Sequence, residues 1–417
     1  MKTLVYNIGQ LWLAIPGEQP LGGVEMSALQ PLEKAWFRFE DGLITQIGQG
    51  NLPSALPDEV QVDCDGGMVF PGFCDSHTHL VFADWRPEEF LQKIKGMSYA
   101  EIAAAGGGIL NSAQKVGLAS EEQLFESAKN RLAEVMRFGT AAIEVKSGYG
   151  LSLNSELKML RAIARLKAWA PIPIRATLLG AHALPQEFKE NRQAYIDMVV
   201  QELIPAACSE GLADYFDVFC DQGFFTQSET EEMLKAALES GLQSKIHANE
   251  LGLTGGVQAG VKYNALTVDH LEHLGEEEIN ALKGSQTMPT LLPGTAFFLK
   301  LEYPNGRRLL DENLPVVLAT DYNPGSSPSG NPWFIWSLAC IFMKFNPQEA
   351  LVGLTLNGAH AMGLGASHGS IWPGKAASFV VLPTIHQLSM VPYRFGGGFP
   401  YRTFIHGKEL NSSMDVF

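Results

Sequence analysis

His77 and His79 stand two residues apart in the run Pro71-Gly-Phe-Cys-Asp-Ser-His-Thr-His-Leu80, directly after the apolar Gly67-Met-Val-Phe70. Such a lead-in reads as a strand, and residues i and i+2 of a strand project from one face. Two neutral imidazoles at a strand's end can therefore reach one divalent ion. Polar residues recur in the same position after other predicted strands. His247 and Asn249-Glu250 close Ser244-Lys-Ile-His-Ala248, Asp269-His270 and His273 follow Val268, and Asp321 follows Pro315-Val-Val-Leu-Ala-Thr320. One such histidine is ordinarily a satisfied core or loop residue; four strands ending alike point to a shared centre. Three histidines and one carboxylate suit Zn2+ or Fe2+, one ion per chain, with coordination room left for a water. An ion of this kind lowers the pKa of its water from 15.7 to about 7.

The elements that must position these residues follow a repeating pattern. Strands are predicted at 68–75, 141–146, 174–179, 215–220, 244–248, 265–269, 286–291 and 316–319, with helical stretches at 121–138, 155–168, 195–209, 228–240, 276–281 and 309–312. Eight strands between residues 71 and 360 fit a (β/α)8 barrel, which takes about 250 residues plus insertions. A doubly wound open sheet is the alternative, but no Gly-x-Gly-x-x-Gly follows the first strand and the polar motifs follow many different strands. Barrel enzymes carry their functional residues at the C-terminal ends of strands, where these motifs lie. Residues 1–70 and 361–417 hold short β-prone segments such as Thr3-Leu-Val-Tyr6, Ala35-Trp-Phe-Arg-Phe39 and Ala377-Ser-Phe-Val-Val-Leu382. Neither end can bury much surface alone, so the two are expected to form one small β-sandwich domain beside the barrel at 71–360. Gly106-Gly-Gly108 is expected to be a loop over the site, and Pro332–Met343 a buried helix.

Bulk properties narrow the partners. A net charge of −15 argues against nucleic acid or an anionic membrane surface, and an anionic substrate would need locally placed arginine. No segment approaches the roughly 18 apolar residues of a membrane span. Five scattered cysteines without a Cys-x-x-Cys suit reduced thiols, and the N-terminus lacks an export-signal pattern, so a cytoplasmic protein is expected. A homodimer is the default assembly.

The order of elements and motifs resembles the amidohydrolase superfamily over nearly the whole chain. That resemblance implies His77, His79, His247 and Asp321 as metal ligands, with His270 beside them to orient a water or act as base. Binuclear members bridge two ions through a Lys or Glu after strand three or four; here those strands run into Gly180-Ala-His182 and Phe219-Cys-Asp221, which implies one metal. Lys146, after strand two, is read as a structural or surface cation. Glu250, three residues past His247, fits the position that mononuclear deaminases of the superfamily use to shuttle a proton. His273 is read as structural.

The loops resemble those of the imidazolonepropionase family in Lys146-Ser-Gly-Tyr-Gly-Leu151, in Gly180-Ala-His182 and in Ala319-Thr-Asp-Tyr-Asn-Pro-Gly-Ser326. This implies hydrolysis of the cyclic amide of 4-imidazolone-5-propanoate to N-formimidoyl-L-glutamate, the third step of L-histidine degradation. Arg86 can grip the propionate carboxylate bidentately. Tyr149 and His182 would meet the ring and tail, the resemblance places Asn323, Gly325 and Ser326 at the glutamyl end, and Tyr99 is a further candidate for the tail. Ala83-Asp-Trp85 departs from the small Gly-rich linker expected before Arg86, so the position of Arg86 depends on where Trp85 goes. A nucleobase aminohydrolase would share the metal set without needing Arg86, and a catalytically dead scaffold would tend to lose the ligands.

Overall fold

The computed structural model describes residues 1–54, 56–97, 101, 106–395 and 398–410. Strands β1 (Lys2–Leu11), β2 (Leu32–Glu40), β3 (Leu43–Gln49), β4 (Val60–Asp63) and β5 (Met68–Pro71) open the chain. Then come β6 (Phe73–Asp75), β7 (Thr140–Lys146), β8 (Ile174–Ala181), β9 (Tyr215–Cys220), β10 (Gln243–Ala248), β11 (Thr267–His270), β12 (Met288–Leu291) and β13 (Val317–Leu318). The chain returns through β14 (Phe379–Leu382), β15 (Arg402–Ile405) and β16 (Lys408–Glu409).

Strands β6 to β13 pair in sequence order as one parallel sheet with helices between them. The ends of that sheet meet at a parallel bridge between Thr78 and Tyr322, fastened by Asp321 N–H to the His77 carbonyl (3.0 Å) and His79 N–H to the Tyr322 carbonyl (2.9 Å). The barrel is thus joined just beyond its first and last strands, where the metal-ligand candidates sit.

Both chain ends build a second, mixed sheet in the order β16-β15-β14-β5-β1-β2-β3, with β4 on β1. It curves until its wings face each other: Phe37 on β2 meets Phe379 on β14 edge-on at 5.1 Å, in a core with Val5, Ile44, Val69 and Phe404. The single strand expected at 68–75 is in fact two. Its first half pairs with β1 and β14, its second with β7, and the switch falls at Gly72, where a Cβ would lie 2.5 Å from that of Ala141. The predicted strands at 265–269, 286–291 and 316–319 are shorter in the fold, at Thr267–His270, Met288–Leu291 and Val317–Leu318.

Two of the long helices start at side-chain caps. Ser120 with Gln123 and Thr226 with Glu229 form reciprocal capping boxes for the helices Glu121–Arg137 and Gln227–Glu239. The helical stretch expected at 195–209 begins earlier, at Arg192, and widens to a π turn over Val199–Leu203 just ahead of Pro205. Proline lacks an N–H and its ring crowds the preceding turn, so a wider turn lets the helix continue. The helix Pro332–Phe342 buries Ile335, Trp336 and Leu338 but leaves Ile341 and Phe342 about half exposed, so it is less enclosed than its composition suggested. Among the described residues no helix is long and apolar enough to cross a membrane.

Candidate metal centre and pocket

His77 and His79 leave β6 as expected and converge with His247, from the end of β10, so that one ring nitrogen of each lies within 4.8 Å of the others. His79 Nε2 is 3.2 Å from His247 Nε2. Asp321 Oδ1 is 3.4 Å from His77 Nε2 and 3.5 Å from His79 Nε2, while its Oδ2 accepts a hydrogen bond from Thr295 Oγ1 (2.5 Å). Tetrahedral ligands at about 2.0–2.1 Å from an ion lie about 3.3 Å apart, so the observed separations suit a shared cation. Burial, aided by Lys146 for His77 and by His182 for His79, holds both imidazoles well below their usual pKa. That favours neutral rings, whose converging lone pairs suit a cation.

Beneath the histidines lies a layer of buried charge. Asp269 Oδ2 sits 2.6 Å from His77 Nδ1, and Asp217 Oδ2 sits 2.9 Å from His247 Nδ1. A carboxylate behind an imidazole fixes the tautomer and strengthens the opposite nitrogen as a ligand. Lys146 Nζ bridges Glu144 and Asp217 (2.8 Å to each) and lies 3.7 Å from Asp269. Lys245 pairs with Glu144 and donates to the Ser76 carbonyl (2.5 Å), tying the layer to the first strand. Among the described residues, Lys146 and Lys245 are the ammonium groups set against Glu144, Asp217 and Asp269, an excess of carboxylate that favours a cation at the histidines. Lys146 is therefore not a surface cation: it is wholly buried, and these carboxylates overcome burial to keep it charged.

Glu250 and His270 flank the cluster, with His270 Nε2 3.7 Å from Glu250 Oε2 and Nδ1 3.6 Å from Glu272 Oε2. Asp221 Oδ2 accepts the backbone N–H of Glu250 (2.6 Å) and of Leu251 (2.9 Å), which anchors the turn. Burial, with Glu272 and Asp321 nearby, raises the Glu250 carboxyl to about 8 against the opposing pull of His270. Burial works against a charged His270, but Glu250, Glu272 and Asp321 outweigh it and hold the imidazolium well above its usual value. Asn249, His270, Leu271 and Asp321 all have positive φ, at 59°, 86°, 64° and 52°. Non-glycine residues accept that conformation only when their surroundings enforce it, at about 1–3 kcal/mol each. Here it turns the chain sharply as each strand ends. His273 is exposed.

A cavity of about 410 Å³ opens over the cluster, and His79, Arg86, Tyr149, His182, His247, Glu250, His270, Asp321, Asn323 and Ser326 all reach its wall. His182 Nδ1 meets the Gly148 carbonyl at 3.0 Å, so it carries the hydrogen and Nε2 is left as an acceptor. Its ring stacks on His79 with centroids 5.0 Å apart. Tyr149 is held by its loop: the buried Glu156 carboxylate accepts the N–H groups of Gly148 (3.0 Å), Gly150 (2.6 Å) and Leu151 (2.8 Å). Asn323 spends its amide on its own loop, donating to the Asp321 carbonyl and Ser326 Oγ (2.7 Å each) and accepting from Gly325 and Ser326 N–H. It shapes the loop more than it presents polar atoms. Tyr99 lies outside the described residues, as does most of the segment leading to Gly106.

Trp85 turns away from the cavity and packs edge-on against Phe82 at 4.7 Å, with Tyr322 beyond it at 5.9 Å. Arg131 secures the same loop by donating to the carbonyls of Leu80 (2.8 Å) and Phe82 (3.0 Å). Arg86 is thereby left facing inward, 3.6 Å from Glu89, with Nε and Nη1 buried and without a hydrogen-bond partner. Its guanidinium lies flat on Gly325, where a Cβ would fall 1.3 Å from Nη2. Gly325→Ala should therefore displace Arg86 and lower kcat/KM about 10- to 100-fold with unchanged metal content; steady-state kinetics and metal analysis check this.

Sequence reasoning missed Asp217, Glu144, Lys245, Glu156 and Lys93. The signal for the first three was present: charges inside Tyr-Phe-Asp-Val-Phe-Cys, Ala-Ala-Ile-Glu-Val-Lys and Ser-Lys-Ile-His-Ala, strands that a parallel barrel buries on both faces.

Comparison with known proteins agrees with this architecture. Residues 68–410 match the model of the amidohydrolase family. An imidazolonepropionase of Flavobacterium johnsoniae is 46% identical over 412 residues, covering 98% of this chain and all of the relative. One from Caldanaerobacter subterraneus subsp. tengcongensis is 40% identical, covering 94% of each. A triazine hydrolase from Arthobacter aurescens shares the fold with a TM-score of 0.74 at 15% identity, over 98% of this chain and 94% of that one. The chain thus belongs to the amidohydrolase family, on its imidazolonepropionase branch.

Proposed function

We propose that this protein opens the ring of 4-imidazolone-5-propanoate by adding water across its cyclic amide, giving N-formimidoyl-L-glutamate in L-histidine degradation. Full-length similarity to imidazolonepropionases supports the reaction. The observation that carries the substrate assignment is Arg86, buried at the cavity wall with two nitrogens that make no hydrogen bond, in a cavity that the histidine cluster also lines. His77, His79, His247 and Asp321 would hold one divalent ion, Zn2+ or Fe2+, which when bound would supply a Lewis acid and a water of lowered pKa.

The chain's own residues do the rest. Arg86 binds the propionate carboxylate, and Tyr149 and the acceptor Nε2 of His182 orient the ring. Ser326, with Gly325 and Asn323 shaping its loop, receives the glutamyl end. Glu250 is the base: its carboxylate takes the water's proton. His270 and Asp321 align the water. As water oxygen bonds to the ring carbonyl carbon and the carbon–nitrogen bond breaks, Glu250 returns the proton to the leaving nitrogen. We further infer a cytoplasmic homodimer, from five unpaired cysteines and the frequency of twofold assemblies.

Metal-loaded protein should consume 4-imidazolone-5-propanoate, followed as loss of ring absorbance, with N-formimidoyl-L-glutamate identified by mass spectrometry. Release of ammonia from cytosine or guanine instead would overturn the assignment. Arg86→Ala should raise KM about 10- to 100-fold with little change in kcat, since a charge-assisted hydrogen bond contributes about 1.5–3 kcal/mol. An unchanged KM would remove Arg86 from the carboxylate.

A further inference from the structure

The helix Pro87–Ile94 starts directly after Arg86, and Arg86, Phe90, Lys93 and Ile94 all reach the cavity wall. Residues three and four apart on a helix share a face, so Lys93 is delivered to the same side as Arg86 two turns on. Its ammonium is half-buried, 4.8 Å from the centre of the Phe298 ring, and it donates to the Gly325 carbonyl at 3.2 Å. Gly325 is also the residue on which the Arg86 guanidinium lies. Two cations from one helix thus converge on one glycine.

Glu89 is the carboxylate facing Arg86, at 3.6 Å, and its other oxygen accepts from the Gly108 N–H and Asn111 Nδ2 (3.0 Å each). Among these three neighbouring groups one carboxylate stands against two cations, a locally positive set. Burial, then repulsion from Arg86, lowers the Lys93 ammonium to about 8 while Glu89 opposes. The strain of two neighbouring cations is relieved when a carboxylate lies between them.

We propose that Lys93 is the second half of a two-cation clamp for the substrate's carboxylate tail. Arg86 supplies the planar fork and Lys93 a point charge, and together they recognise one monoanionic carboxylate. This rests on the reading of the substrate given above and extends it to a residue the loops did not suggest.

The test compares wild type with Lys93→Met and Lys93→Arg on 4-imidazolone-5-propanoate, with 3-(imidazol-4-yl)propanoate and its propanamide as competitive inhibitors. Methionine keeps the apolar stem over Phe298 and loses the charge. Lys93→Met should raise KM and the inhibition constant of the propanoate about tenfold, with kcat within about twofold and the propanamide constant unmoved. Lys93→Arg should recover most of the loss. Equal weakening of propanoate and propanamide would mean that Lys93 only supports the wall, and an unchanged KM would remove it from the tail; either overturns the clamp while wild-type turnover leaves the reaction standing. A wild-type protein that ignores the imidazolone overturns both.

Discussion

Glu250→Gln is expected to lower kcat by about 10²- to 10⁴-fold, the range that one positioned acid–base group contributes, while metal content stays at the wild-type level. Glutamine keeps the shape of the side chain and cannot take a proton. The Glu250 backbone should stay in place because Asp221 holds it through N–H groups, which the substitution leaves intact. The pH profile gives a second readout. Burial raises this carboxyl from 4.5 to about 8 before any cation is added, and a divalent charge beside it favours the carboxylate and draws it back down. Only the deprotonated form can act as base, so kcat/KM should fall on the acid side, about tenfold per pH unit below a midpoint between those two values. In the variant that limb should flatten. Near-normal turnover by the glutamine variant would remove Glu250 from the chemistry.

Lys146→Met should destabilise the fold by about 3–5 kcal/mol, the usual cost of removing one partner from a buried charge network. Glu144, Asp217 and Asp269 would then lose the ammonium they share, and among the described residues Lys245 pairs only with Glu144. A lowered urea midpoint measures the loss. Metal affinity should fall too, because Asp217 and Asp269 also hold His247 and His77 in orientation. A variant as stable and as metal-competent as wild type would show that the layer is dispensable. The loss is much larger than that expected for an exposed lysine such as Lys235, whose pairing with Glu239 is worth little.

The parts of this molecule legible in its sequence are those governed by local period. His-x-His after an apolar run, the eight strand–helix repeats and the terminal strands all announce themselves within a dozen residues. Glu250 was legible because it lies three residues from His247. The charged layer was not, since Lys146 meets Asp217 71 residues on and His77 meets Asp269 192 residues on. A charge in a strand shows that a partner must exist without saying which. The split at Gly72 escaped notice because Met68–Asp75 is apolar throughout, and pattern alone does not reveal a change of sheet. Local sequence leaves the direction of Trp85 open; the distant Arg131, which ties down its loop, and the Phe82 ring against which it packs explain why it points away from the cavity.

The seam where Thr78 meets Tyr322 has a consequence for how the protein is made. Asp75 and Thr320, hydrogen-bonded across it, are 245 positions apart. At about 5–20 residues per second, the ribosome finishes the first strand roughly 10–50 s before its closing neighbour exists. Throughout that interval β6 has one open side, an invitation to pair with another nascent chain. Half of the cation cage waits with it, so His77 and His79 emerge early but cannot bind fourfold until translation has passed Asp321.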